Sequence, residues 1–129
     1  MNAGERRETA LVEAMARLAW REYPGHFGGA LSKELVGPGN VGSDRVDFRI
    51  SRYAPAAFVE EHVHQVQEQI YYVLEGEGVL TTDGERHLMR PHDYVYVPPG
   101  VRHGFSNTGT AGLVFLVVTT PAHDTQEAR

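Results

Sequence analysis

From residue 30 onward the chain is a succession of short β-prone runs, at 30–36, 46–53, 58–64, 69–74, 78–82, 86–89, 94–97, 103–106 and 113–119. Turn residues cut them apart: Gly37-Pro38-Gly39-Asn40, Ala54-Pro55, Glu75-Gly76-Glu77-Gly78, Asp83-Gly84, Pro98-Pro99-Gly100 and Asn107-Thr108-Gly109. Many short strands punctuated by glycine and proline, with no helix among them, imply an all-β sandwich or barrel. Asp83-Gly84 is the sharpest of these signals, because both central residues of a type I′ hairpin turn want positive φ.

Ahead of the strands, residues 9–21 carry Leu11, Met15 and Leu18 at helical spacing, widened by Val12 and Ala19 and opposed by Glu13 and Arg17. This stripe predicts a short amphipathic helix, ended by Pro24-Gly25 and packed on the barrel wall. The expected layout is a helix and linker over 1–29, a barrel over 30–120 and a flexible polar tail over 121–129.

Composition narrows the chemistry. A chain of 129 residues suits one domain with a real core. The net charge is −5, and the one basic pair, Arg6-Arg7, lies between Glu5 and Glu8, so a phosphate-tracking surface and a nucleic-acid partner are not expected. There is no cysteine, so any metal would have to be held by imidazole and oxygen. No apolar run approaches the ~20 residues that span a bilayer, and no signal-peptide core is visible at the N-terminus. The expectation is a cytoplasmic protein with no membrane partner.

Alternate residues of a strand face one side. In Glu60-Glu61-His62-Val63-His64 the two imidazoles therefore project together, within reach of one ion, and Glu60 shares their side. A second strand candidate follows, Glu68-Gln69-Ile70-Tyr71-Tyr72-Val73-Leu74-Glu75, closing on Gly76. Much later a rigid Pro98-Pro99-Gly100 turn delivers His103 at the start of another strand.

These residues resemble the two motifs of the cupins. His62, His64, Gln69 and Gly76 stand in the frame of the first motif, and Pro98, Gly100, His103 and Asn107 in that of the second. One departure is visible: His92 before Asp93 stands where the second motif usually opens with glycine before an acid. The resemblance implies a double-stranded β-helix, a jelly-roll barrel, holding one divalent transition metal (Fe, Mn, Ni, Zn, Co or Cu) on His62, His64 and His103.

The fourth ligand is open on chemistry alone. Glu68 and Gln69 are neighbours on opposite faces, and a carboxylate is the commoner ligand, while alternation does not decide between Tyr71-Val73 and Ile70-Tyr72 as the interior set. The cupin frame points to Gln69. Three imidazoles and an amide would leave the ion's charge uncompensated and favour a small substrate that is anionic or enolisable. Single-domain cupins with this look include dioxygenases, isomerases, cyclases and ring-opening enzymes for sugars or polyketides. An enzyme is therefore expected, with a non-catalytic ligand-binding or sensor barrel as the alternative.

Tyr53 and Tyr71 are candidates for proton donors in the pocket, and Glu60 for a general base at its mouth. Phe48 and Phe105 are further inward candidates. Arg49 alternates with Val46, Phe48 and Ile50 and is placed on the other face. His26, His87, His92 and His123 have no motif around them and are expected at the surface or in turns. A homodimer is expected, through residues 30–36 or the N-terminal helix, because open sheet edges invite pairing.

Overall fold

The computed structural model describes residues 6–125. Two antiparallel sheets face each other. The larger has six strands in the order β1 (Arg21–Glu22), β3 (Ala30–Val36), β4 (Asp47–Tyr53), β11 (Leu113–Thr120), β6 (Glu68–Glu75) and β9 (Tyr94–Val97). The smaller has five: β2 (His26–Phe27), β5 (Phe58–His62), β10 (His103–Ser106), β7 (Gly78–Thr82) and β8 (Glu85–Met89). Apart from the neighbouring pairs β3–β4 and β7–β8, successive strands alternate between the sheets, as in a jelly-roll barrel. The hairpin turn has Asp83 at φ 47° and Gly84 at φ 84°, the left-handed pair that type I′ requires.

The core fills one half of the space between the sheets. Tyr53, Tyr71, Val73, Leu80, Val97, Phe105, Leu113 and Phe115 are buried there. Most of their aromatic rings meet edge-to-face or tilted, with the Phe105 and Phe115 centroids 4.8 Å apart and those of Tyr53 and Phe115 4.9 Å apart, while Tyr71 and Phe115 stack at 5.8 Å. Asn107 closes this end: its amide donates to the carbonyls of Tyr53 and Ala111, and its Oδ1 accepts from the Gly109 amide. The Asn of the second motif thus satisfies three backbone groups where the chain turns.

The N-terminal helix does not form. Ahead of β1, residues 9–20 hold only a 3₁₀ turn over Met15–Arg17. The apolar stripe finds no surface to bury: Leu11, Val12 and Met15 are exposed. Helices of this length are marginal in water without such packing. The extended segment instead reaches over the outer face of the large sheet, where Lys33 Nζ donates to the Met15 carbonyl and the Trp20 ring is faced by Lys33 and Arg52. It then adds Arg21–Glu22 as β1 beside Leu31 and Ser32. Part of the edge expected to pair with a second copy is therefore covered by the chain itself.

Candidate metal centre and pocket

The other half of the inter-sheet space is a cavity of about 380 Å³. His62, His64, Gln69, Tyr71, Tyr53 and Glu60 line it, and His103 lies directly behind, 1% exposed. Pairing of β5 with β10 sets His62 opposite His103. Ligand nitrogens of His62, His64 and His103 lie within 4.8 Å of one another.

The hydrogen bonds fix which nitrogen each ring offers. Nδ1–H of His62 donates to the Glu60 carbonyl at 2.6 Å and Nδ1–H of His103 to the Val101 carbonyl at 2.9 Å. Both rings therefore turn an Nε2 lone pair inward. Gln69 donates its amide to Thr119 Oγ1 at 2.9 Å, which leaves Oε1 facing His103 Nε2 at 2.7 Å. Two acceptors at that distance repel unless a cation lies against them. His64 Nε2 adds a third demand, being buried with no hydrogen-bond partner. An orphaned buried nitrogen is costly, and here a metal ion is the partner that the donor set suits.

Burial lowers the pKa of His62, and burial brings His103 down to about 4, so both imidazoles stand neutral at pH 7, the form that ligates. His103 titrates near 6.5 when unfolded and thus takes up a proton on unfolding between those values. Stability of the metal-free protein accordingly rises with pH across that window. On this basis His103 alone is expected to remove about 3 kcal/mol as the pH falls from 6.5 to 4. Urea melts of metal-free protein across this range, with His103→Gln as the comparison, check the slope.

Asp124 supports His64 from behind. Its carboxylate accepts the backbone N–H groups of Gln65, Val66 and Gln67 at 2.9 to 3.1 Å and stands 3.5 Å from His64 Nδ1. Burial disfavours its charge, but the three amides and His64 outweigh that and hold its pKa below the usual range. Asp124 belongs to the stretch expected as a flexible tail; residues 126–129 of that stretch lie outside the described residues, whereas 121–125 turn back onto the loop after β5. Because a carboxylate behind a ligating imidazole fixes its ring, Asp124→Ala is expected to weaken metal affinity roughly 10- to 100-fold, read by competition with a chromogenic chelator.

The inward faces are now assigned. Gln69, Tyr71 and Val73 point inside; Glu68 lies outside, where its carboxylate accepts the Tyr96 hydroxyl at 3.2 Å. Tyr71 donates to Gln69 Oε1 at 3.3 Å. Burial pushes the phenol pKa of both Tyr53 and Tyr71 far up, so they remain proton donors. Glu60 is exposed at the rim, and Phe105 belongs to the core.

Four side-chain placements, those of Phe48, Arg49, His26 and His87, need correcting. On β4 it is Asp47, Arg49, Ser51 and Tyr53 that line the cavity, while Phe48 takes the outer face. The alternation is as expected but its sense is reversed, because the cavity wall is polar and the outer face is the apolar one. His26, expected at the surface, is half-buried on β2, lines the cavity and bonds Pro24 O through Nδ1. His87 lies against Thr82 Oγ1 at 2.8 Å, half-buried rather than at the surface. His92 sits in its turn at φ 72°, with Tyr72 as partner. Spacing gave no signal for His26 or Asp124; both enter through contacts distant in sequence.

Comparison with known proteins agrees with this geometry. TcmJ, a tetracenomycin polyketide synthase protein of Streptomyces glaucescens, is 29% identical over 109 residues, 82% of this chain and 73% of that one. An oxalate-binding protein of Thermotoga maritima is 34% identical over 71 residues, covering 55% of this chain and 59% of its own length. The crystal structure of a predicted oxalate decarboxylase from Thermotoga maritima superposes with a TM-score of 0.78 at 24% identity, over 86% of this chain and 99% of that one. The family model for the cupin domain matches residues 49–119, which hold both motifs, three histidines with converging nitrogens and the strands that carry them. With motifs, topology and family model in agreement, the chain belongs to the cupins.

Proposed function

We propose that this cupin is a metal-dependent enzyme that chelates a small anionic or enolisable molecule to one divalent ion in the barrel. The observation that carries the reading is the convergence of acceptors at the wall of a ligand-sized cavity: His64 Nε2, buried with no partner, the inward nitrogens of His62 and His103, and Gln69 Oε1. His62, His64, Gln69 and His103 would hold the ion. When bound, it supplies Lewis-acid polarisation of a substrate oxygen.

The chain's own residues do the remaining work. Four neutral ligands leave the positive charge of the site for the substrate. Tyr53 and Tyr71, kept protonated by burial, donate hydrogen bonds or a proton to developing negative charge. Glu60 at the rim takes a proton from the substrate and passes it to solvent. The polyketide-synthase relative favours an enolisable polyketide-like compound as substrate; a sugar acid is the other class carried here, and the reaction is that of a dioxygenase, isomerase, cyclase or ring-opening enzyme.

The test is turnover. Fe(II)-, Mn- and Zn-loaded protein is incubated with a 1,3-diketone, a polyphenolic enol and an unsaturated uronic acid, and products are followed by mass spectrometry and oxygen uptake. Metal-dependent product, lost in His62→Ala, is expected. Equal turnover by the Zn and Fe forms excludes the oxygenase branch. The resemblance to an oxalate-binding protein favours a second reading, a barrel that binds without reacting; saturable binding with no product supports it.

A homodimer is part of the proposal. Ile70, Tyr94 and Tyr96 are exposed together on the outer face of β6 and β9, where Ile70 pairs with Tyr96. Light scattering is expected to give twice the chain mass; a monomer contradicts this element.

A further inference from the structure

Across the cavity from the histidines, the wall formed by β3 and β4 is polar where a barrel interior is ordinarily apolar. Asp47, Arg49 and Ser51 of β4 and Ser32 of β3 all line it. Ser32 and Ser51 face each other in register and satisfy one another, their hydroxyls 2.7 Å apart. Arg49 is held on two sides. Its Nε and Nη2 donate to the two oxygens of Asp47 at 2.8 and 3.1 Å, and its guanidinium carbon lies 4.2 Å from the centroid of the Tyr23 ring. The pair is half-buried, with side-chain exposures of 27% for Arg49 and 14% for Asp47.

A buried ion pair is a poor stabiliser, since desolvation offsets the attraction. What the clamp does provide is orientation. With Nε and one Nη2 hydrogen committed to Asp47 and one face to Tyr23, the Nη1–Nη2 edge makes no hydrogen bond among the described residues; Glu34, opposite Arg49 on β3, acts on it through charge alone. That edge is a fork matched to a carboxylate, pre-set so that little freedom is lost on binding. Strand order sets its spacing from β6, the strand that carries Gln69. Arg49 pairs with Val117, which pairs with Tyr71, so Arg49 and the β6 residues are two strands apart, about 10 Å.

We propose that Arg49 is a recognition site for a carboxylate of the substrate, so that the pocket takes a small organic acid with its oxygen donors on the metal and a second, distal carboxylate on Arg49. This rests on the metal-centred reading above and narrows its substrate class to acids that can bridge the two positions. Asp47 and Tyr23 are positioning residues for the fork, and Ser32 and Ser51 offer hydroxyl contacts along the way.

The test uses two probes with one chelating head and one chain length, 2-oxoadipate and 2-oxohexanoate, which differ only in the distal carboxylate. Each is titrated calorimetrically into Ni-loaded protein. Wild type is expected to prefer 2-oxoadipate by on the order of ten- to a hundredfold. Arg49→Gln removes that preference, binding both acids as wild type binds 2-oxohexanoate, with metal content unchanged. Arg49→Lys, which keeps the charge without the fork, retains a smaller preference and serves if the Gln variant does not fold. Equal binding of the two acids by metal-loaded wild type, binding of neither, or a preference that survives both substitutions overturns the Arg49 proposal while leaving the metal centre standing. Failure of the protein to take up Ni overturns both.

Discussion

His103→Ala is expected to lose tight metal binding while the barrel persists. Structural sites of comparable donor number bind zinc with apparent energies of roughly 10–16 kcal/mol, so one of four ligands carries about 3–4 kcal/mol, a factor of roughly 10²–10³ in affinity. His103 is the proposed ligand with the most defined surroundings: Nδ1–H on the Val101 carbonyl, its strand between β5 and β7, and Nε2 against Gln69 Oε1. Competition with a chelator measures the loss, and far-ultraviolet circular dichroism shows whether the strands remain. His87→Ala is the control, since His87 bonds Thr82 outside the ligand set, and its affinity for metal is expected to match wild type.

Gly76→Ala is expected to be the more damaging change for the fold, by about 3 kcal/mol or more. Gly76 has φ 75°, and a Cβ there would collide with the carbonyl of Gly112 and crowd Leu113 Cα at 3.0 Å. Those atoms are backbone and cannot rotate away. The close approach exists because β11 slips its register against β6 at this level, between Val114 and Phe115. The glycine that ends the first motif is therefore a packing requirement of the turn that carries β6 into β7. Gly84→Ala is the informative partner. It too has positive φ, 84°, but its Cβ would meet nothing within 4 Å, so only the conformational cost of about 1 kcal/mol is expected. Thermal melts of the two variants should differ by several degrees; equal shifts contradict the role given to the Gly112 contact.

The strands were legible because their signals are local. Gly and Pro separators, Asp83-Gly84 and the two-residue period need no knowledge of the partner strand, and observed bounds such as Gly78–Thr82 and Tyr94–Val97 match the runs read from sequence. The centre was legible for a related reason: His62, His64 and Gln69 lie within eight residues, and His103 follows a rigid turn. Three features were not. The stripe at 9–21 has helical period, but a helix forms only where its apolar face can be buried, and this chain uses the segment as a cover and an edge strand instead. The sense of β4 was inverted because alternation tells faces apart without saying which is inside, and the interior here is a polar pocket. Asp124 meets Gln65 across 59 residues, a pairing no spacing rule encodes.

The most direct test of the metal centre is anomalous diffraction from crystals of protein stripped with EDTA and reloaded with one equivalent of Zn or Ni, collected at the metal edge. One peak per chain is predicted, bounded by the side chains of His62, His64, Gln69 and His103. A fully occupied ion elsewhere, or protein that takes up no metal while these four side chains remain ordered, would contradict it.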